Sequence, residues 1–383
     1  MRKLAHIETI VWKRPIDGAD RIELVGVLGW QCIAKKDEFQ IGDRCVYIEI
    51  DSIVDKENPE FAFLEKRNYK IKTMKMKGVV SQGIVFPLSI LGEDAGAWNV
   101  GEDLTAFLNI KEVEDDLPKQ RVVDPLSRLK QTHKKLCNNP VFKWFMKFGW
   151  FRRFAFCALI PRKKQKKFPD WIIKTDETRL QAMPFVLDQY KGVPMVVTEK
   201  LDGTSTTFGL KEIKRSIFGR AKYDFAVCSR NVRQEDITQK CFYDDNVYHI
   251  IAIRLGIRDV LKQIMDSYQA KTVILQGETI GEAIQKNKYG IGGLDFYAFN
   301  LIVDGKKLDS VEAKEIVAQY GIKWVPILDE NFILLPTVDE MIEYADGQST
   351  IADTLREGVV IRDHDNTTSF KCISVKFLLK HNI

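Results

Sequence analysis

The residues best suited to chemistry stand together at Thr198-Glu199-Lys200-Leu201-Asp202-Gly203-Thr204-Ser205. Residues 193–199 form an apolar run interrupted only by Pro194, which reads as a buried strand. Lys200 ends that run, and Asp202-Gly203 turns the chain at once. Such an amine is held by a strand, partly desolvated, and set two residues from a carboxylate. A lysine nucleophile must shed a proton from a group whose ordinary pKa is about 10.4. Burial and nearby cations, a metal ion among them, favour the neutral amine. Taken alone, Lys-x-Asp-Gly is a weak signal, and a surface β-turn accounts for it as well.

The elements that must position this lysine are predicted from pattern. From about residue 169 onward strands and helices alternate. Residues 250–265 have helical spacing, with Gly256 as a weak point, and residues 272–275 read as a strand. Ser310 is read as the cap of a helix ending near Gly321, and Thr337 with Glu340 forms a capping box for another ending at Gly347. Residues 358–362 read as a strand. The pattern is α+β without a dinucleotide-binding fingerprint. Residues 22–27, 45–50 and 83–87 are short strands, separated by turns at Asp17-Gly18, Gly42-Asp43 and Lys77-Gly78. Short strands in about a hundred residues suggest a small barrel of the OB type. Lys66, Arg67, Lys70, Lys72, Lys75 and Lys77 form a cluster that is either a phosphate-tracking face or a solvated one.

A chain of 383 residues exceeds one compact core, and 45% apolar with 29% charged residues is ordinary globular composition. No apolar run has the length of a membrane span, and the start lacks a secretory leader pattern. The seven cysteines are scattered and the five histidines do not pair at metal-ligand spacing, so the thiols are read as reduced and the protein as cytoplasmic, or nuclear in a eukaryote. Residues 130–167 hold twelve of the 58 Lys and Arg and none of the 53 Asp and Glu, with eight aromatics from Phe142 to Phe156. Composition leaves three readings of that insertion open: a packed helical insertion, a nucleic-acid contact, or a helix on an anionic membrane.

The order of motifs resembles the covalent nucleotidyltransferases, the superfamily of ATP-dependent ligases and mRNA capping enzymes. Within it the match is to the fifth RNA ligase family, whose members carry an N-terminal OB module. The words are Lys174-Thr175-Asp176-Glu177-Thr178-Arg179-Leu180-Gln181, Lys200 to Gly203, Ser229-Arg230-Asn231, Gly277-Glu278-Thr279, Phe296-Tyr297-Ala298-Phe299-Asn300, Glu357-Gly358-Val359-Val360-Ile361 and Ser369-Phe370-Lys371. The resemblance implies an α+β multidomain chain: an OB-type nucleic-acid-binding barrel over 1–105, a connector with the basic aromatic insertion over 106–168, and an ATP-grasp-like adenylation domain over 169–383.

It also implies roles. Lys200 attacks the α-phosphate of ATP, and Lys371 contacts that phosphate. Asp202, Glu278 and Glu357 hold a hydrated Mg²⁺ or Mn²⁺, with Glu278 also near the ribose. Phe296 or Phe299 stacks on adenine, Phe296 being favoured. Glu199 flanks the base, partly through its backbone. Lys174 and Arg230 bind nucleotide phosphates, and Arg179 and Asn231 contact nucleic acid. The implied reaction is ATP-dependent joining of 5′-phosphate and 3′-hydroxyl ends through lysyl-AMP, at nicks in duplexes with an RNA 3′-hydroxyl strand, by a monomer. Rival readings are another covalent nucleotidyl transfer and a non-catalytic RNA-binding relative. Two departures stand out. Relatives often carry a second lysine where Ile373 stands, and which residue replaces it here is left open: Lys376 is a candidate, though on a continued strand it would face opposite Lys371, and it is also read as a nucleic-acid contact. The chain also leaves no room for a C-terminal OB domain after Lys376, and its barrel comes first.

Overall fold

The computed structural model describes residues 2–113, 129, 134–149, 151–152, 155, 168–215, 221–235, 243 and 245–382. Most of the basic aromatic insertion lies outside the described residues. Within its described part Phe142, Trp144, Phe145, Phe148 and Phe151 pack on one another edge-on or tilted.

Alternating apolar residues build an N-terminal antiparallel sheet from β1 (Ala5–Pro15), β2 (Ile22–Val27), β3 (Trp30–Lys35), β4 (Arg44–Ile48) and β5 (Ile84–Pro87). Its order is β3-β2-β1-β4-β5. The sheet buries Ile7, Ile10, Trp30, Tyr47 and Ile48 against Phe61 and Leu64 of a short 3-10 segment. In the basic cluster, Lys66, Arg67, Lys75 and Lys77 are exposed and Lys70 and Lys72 half-buried.

Two sheets make the C-terminal body. One has the order β6 (Thr178–Arg179), β14 (Ser369–Ile373), β13 (Gly358–Asp363), β7 (Met195–Lys200) and β12 (Ile327–Phe332). The other is centred on β9 (Ala221–Ser229), β8 (Thr204–Arg215), β10 (Thr272–Gly281) and β11 (Leu294–Val303), in that order. Helices α1 (Val247–Arg254) and α2 (Ile257–Ser267) cover one face of the second sheet, burying Ile251, Leu261 and Ile264 against Phe208, Leu275 and Leu301. The single helix read over 250–265 is thus two, because Gly256 adopts the left-handed conformation at φ 56. Helix α3 (Ser310–Ala318) is capped by Asp309, whose side chain accepts from Val311 and Glu312, rather than by Ser310. Helix α4 (Val338–Ala345) carries the expected Thr337–Glu340 capping box. Helix α5 (Val375–His381) is capped by Ser374, so Lys376 lies on a helix, not on a continued strand. No helix among the described residues is long and apolar enough to cross a membrane.

The N-terminal module docks directly on the C-terminal body. The Gly29 N–H donates to the Gln181 carbonyl at 2.9 Å. A Cβ at Gly29 would lie 2.8 Å from the Gln181 Cα, so this close approach requires glycine. Lys72 donates to the Asn382 carbonyl at 2.8 Å. Arg179 donates to Asp51 at 2.7 Å, with its side chain only 11% exposed, and its guanidinium lies over the Trp30 ring. Arg179, assigned to nucleic acid from the sequence, is thus mostly enclosed between the two modules and gives one guanidinium nitrogen to Asp51. Arg179→Met is expected to destabilise the protein by about 2 kcal/mol, because it leaves a part-buried carboxylate with only Arg2, at 3.9 Å, as its cation. Thermal unfolding of Arg179→Met, Asp51→Asn and the double variant measures this, and the double variant should cost less than the sum of the two.

Candidate active site

The site forms where the chain crosses from one sheet to the other. Strand β7 ends at Lys200 and β8 begins at Thr204, so Leu201-Asp202-Gly203 bridges the seam. A Cβ on Gly203 would lie 2.4 Å from the Thr279 carbonyl oxygen and 2.9 Å from the Glu278 Cγ, so only glycine lets this turn close on β10. Pairing of β8 with β10 places Ser205 opposite Glu278. Pairing of β7 with β13 places Lys200 opposite Gly358, with Glu357 one residue beyond. Three motif words distant in sequence thereby meet at one seam.

Lys200 donates to Glu357 at 2.6 Å. Burial alone would depress the Lys200 amine, but attraction from Glu357, then Glu278 and Asp202, holds it above the ordinary lysine value. Glu278 is pushed up to about 8 by burial, with Glu357 and Asp202 adding repulsion and Lys200 opposing. Lys371, on β14, is pushed down to about 8 by burial and by the Lys200 charge. It is also 3.3 Å from Asp176, which pairs with Arg230 at 3.2 Å. Lys174 donates to Asn231 at 3.0 Å. The structure therefore gathers Lys200, Asp202, Glu278, Glu357 and Lys371, and beside them Arg230, Lys174 and Asn231.

The Glu199 side chain is engaged elsewhere. It accepts from Ser349 Oγ at 2.5 Å, Thr350 N at 2.9 Å and Thr350 Oγ1 at 2.7 Å. It clamps a loop, and the Glu199 backbone N–H donates to the Pro326 carbonyl at 2.8 Å. The favoured aromatic is corrected. Phe296 is 1% exposed and packs edge-on against Phe208 in the helix-covered core. Its strand partner is Thr279, which faces opposite to Glu278. Phe299 stands at the irregularity where the register shifts between Gln276 and Gly277, and it stays half-buried. Lys376 is corrected as a substitute for the second lysine: it is 68% exposed on α5 and pairs with Asp346 at 3.4 Å, while Ile373 is buried.

Sequence reading missed three neighbours. Asp176 lay inside a recognised word and links Lys371 to Arg230. Lys288 pairs with Asp202, and the Tyr289 hydroxyl accepts from the Asp202 N–H at 2.7 Å. Nothing in the local spacing of Lys288-Tyr289 signals either contact.

A concentration of buried carboxylates around an amine suits a hard divalent cation with oxygen ligands. Among the described residues no three His, Cys, Asp or Glu side chains are gathered so as to hold an ion alone. The donor set fits an ion that keeps its waters and shares them with Asp202, Glu278 and Glu357.

A lysine between two sheets, ringed by acids and a second lysine, together with a docked small β module, defines a covalent nucleotidyltransferase with a nucleic-acid-binding partner domain. An OB-fold domain model matches residues 4–88, and an RNA ligase model matches residues 193–380. A mutant of the Naegleria gruberi RNA ligase is 30% identical with a TM-score of 0.77, over 100% of this chain and 98% of that one. The same enzyme with pyrophosphate gives 29% and 0.76, over 100% and 99%. A further mutant of it with ATP and Mn gives 30% and 0.76, over 99% of each chain. No curated protein matches the sequence. The chain belongs to the RNA ligase family, with an OB-fold domain at its N-terminal side.

Proposed function

We propose that this chain is an ATP-dependent RNA ligase that seals nicks in duplexes whose 3′-hydroxyl strand is RNA, with Lys200 as its nucleophile. The single observation that carries the reading is the seam that sets Lys200 between Glu357, Asp202, Glu278 and Lys371. The similar Naegleria gruberi enzyme has structures with ATP, AMP and Mn. Among its mutants, a substituted lysine and aspartate stand as far apart as Lys200 and Asp202 do. A substituted glutamate and lysine likewise match the separation of Glu357 and Lys371.

In the first step the Lys200 amine, stripped of a proton, forms an N–P bond to the α-phosphorus of ATP. The bond to the β-phosphate breaks and pyrophosphate leaves. Next a nucleic-acid 5′-phosphate oxygen takes the AMP, breaking the N–P bond. Finally the RNA 3′-hydroxyl attacks the activated 5′-phosphate, joins the strands and releases AMP. Lys371 is the residue placed to meet the charge that builds on the α-phosphate, and Arg230 and Lys174 flank it. A hydrated Mg²⁺ or Mn²⁺ against Asp202, Glu278 and Glu357 would mask phosphate charge and weaken the pairing that holds Lys200 protonated. Glu278 also lies beside the ribose in this reading, and Phe299 supports the adenine. Asn231 contacts the nucleic-acid end, the exposed lysines of the barrel follow its backbone, and Lys376 stays available to it.

One chain supplies every side chain named, so a monomer suffices. The described cysteines are free and buried, in keeping with a cytoplasmic protein. The test is a sealing assay on nicked duplexes. The expected result is joining of a nick with RNA at its 3′-hydroxyl end and at least about tenfold slower joining of an all-DNA nick, since a 2′-hydroxyl contact must be lost. Equal rates would remove the RNA preference, and labelling by ATP without joining would turn the reading to another nucleotidyl transfer.

A further inference from the structure

The loop after β10 grips Asp202 from two sides, and neither contact belongs to the reaction described above. The Lys288 ammonium pairs with the Asp202 carboxylate, with only 10% of its side chain and 15% of the aspartate's exposed. Next to it, the Tyr289 hydroxyl accepts from the Asp202 N–H. The same ammonium lies 4.9 Å from the ring centre of Phe377 on α5, so it is held from beneath by a cation–π contact. The loop that delivers it is unusual. Ala283, Gln285, Lys286 and Asn287 all have positive φ, and none is glycine. The Asn287 side chain stabilises that path by donating to the Ile291 carbonyl and accepting from its N–H, both at 3.0 Å. A strained loop, a ring and a buried ion pair converge on one carboxylate two residues from the nucleophile.

The charges decide what this does. Lys200 is paired with Glu357, and Lys288 with Asp202, so each of these acids carries its own internal cation in the nucleotide-free site. A divalent ion that draws on Asp202 must compete with Lys288. We propose that Lys288 is a positioning residue that occupies Asp202 in the resting site and sets the concentration of divalent cation at which the site becomes competent. This inference rests on the reading of Asp202 as a cation-holding group. Lys288 holds the aspartate by direct pairing, and it restrains cation entry until nucleotide phosphates arrive to share the ion. The Tyr289 contact fixes the backbone, so losing the Lys288 charge leaves the turn in place.

The test uses the full chain carrying Lys200→Ala, which holds ATP without turnover, and reads free Mn²⁺ by electron paramagnetic resonance. Lys288→Met is expected to bind Mn²⁺ about tenfold more tightly in the presence of ATP, since one charge-assisted contact on Asp202 is removed. Lys288→Gln is carried beside it so that misfolding of one variant, seen by circular dichroism, does not silence the test. Lys288→Arg should match the parent, because it keeps the charge. In the chain with Lys200 intact, the Mn²⁺ needed for half-maximal self-adenylylation should fall by the same factor while the maximal rate moves less. Unchanged or weaker Mn²⁺ binding in the neutral variants overturns the inference, as does an arginine variant that behaves like methionine. If the parent itself binds no Mn²⁺ with ATP, the reading of Asp202 fails instead.

Discussion

Alanine at Lys200 is expected to abolish covalent transfer from ATP labelled in its α-phosphate, a loss of more than about a thousandfold. The expectation is sharper than it looks, because a second amine stands close by. Burial and the neighbouring Lys200 charge push Lys371 down to about 8, whereas the surrounding acids hold Lys200 above the ordinary lysine value. Judged by resting protonation alone, Lys371 is the readier nucleophile. Position argues the other way. Lys200 leads into the turn that closes on Glu278, while Lys371 is drawn aside at 3.3 Å by Asp176. Proteolysis of the labelled protein should yield AMP on the peptide containing Lys200 and none on the peptide containing Lys371. Label that survives in Lys200→Ala, or maps to Lys371, overturns the assignment.

The second large effect concerns Lys371. Lys371→Met is expected to slow adenylylation by about a hundredfold or more, because one preorganised cation facing the reacting phosphate is lost. Its protonation also gives a pH signature. In the nucleotide-free site Lys371 loses half its charge near pH 8. Bound phosphate favours the charged form and so raises that value. Nucleotide affinity is therefore greatest below about pH 8 and falls as pH rises through it, with a proton taken up on binding near that point. Lys371→Arg stays charged and should flatten this dependence. Because Glu278 also titrates near 8, the informative quantity is the difference between wild type and Lys371→Arg at each pH, measured by calorimetry in a Lys200→Ala background. Identical slopes in the two would remove Lys371 as the source.

What could be read without coordinates was local. The strand-then-turn signature at Lys200 to Gly203, the capping box of Thr337 and Glu340, and the weakness at Gly256 depend on neighbours a few residues apart. Each came through, although Gly256 separates two helices rather than thinning one. The acidic set was legible through motif order, and the two sheets bring it together. What stayed hidden depends on register and on distant partners. Phe296 and Phe299 look equivalent as a string, yet one shift in pairing between Gln276 and Gly277 decides which ring is left open. Arg179 reads as a free cation until Asp51 arrives from 128 residues away. Lys376 was judged as though β14 continued, and Ser374 starts a helix instead. The pairing of Lys288 with Asp202 spans 86 residues and has no local trace.

The two-residue strand β6 runs parallel to β14, and its Arg179 is the direct partner of Lys371. One end of that rung is tied to the barrel through Asp51, and the other abuts the amine beside the nucleophile. The two modules are thus mechanically in series. A shift of the N-terminal module on its seat therefore reaches the rung neighbouring Lys371 directly, beside the Gly29–Gln181 and Lys72–Asn382 contacts.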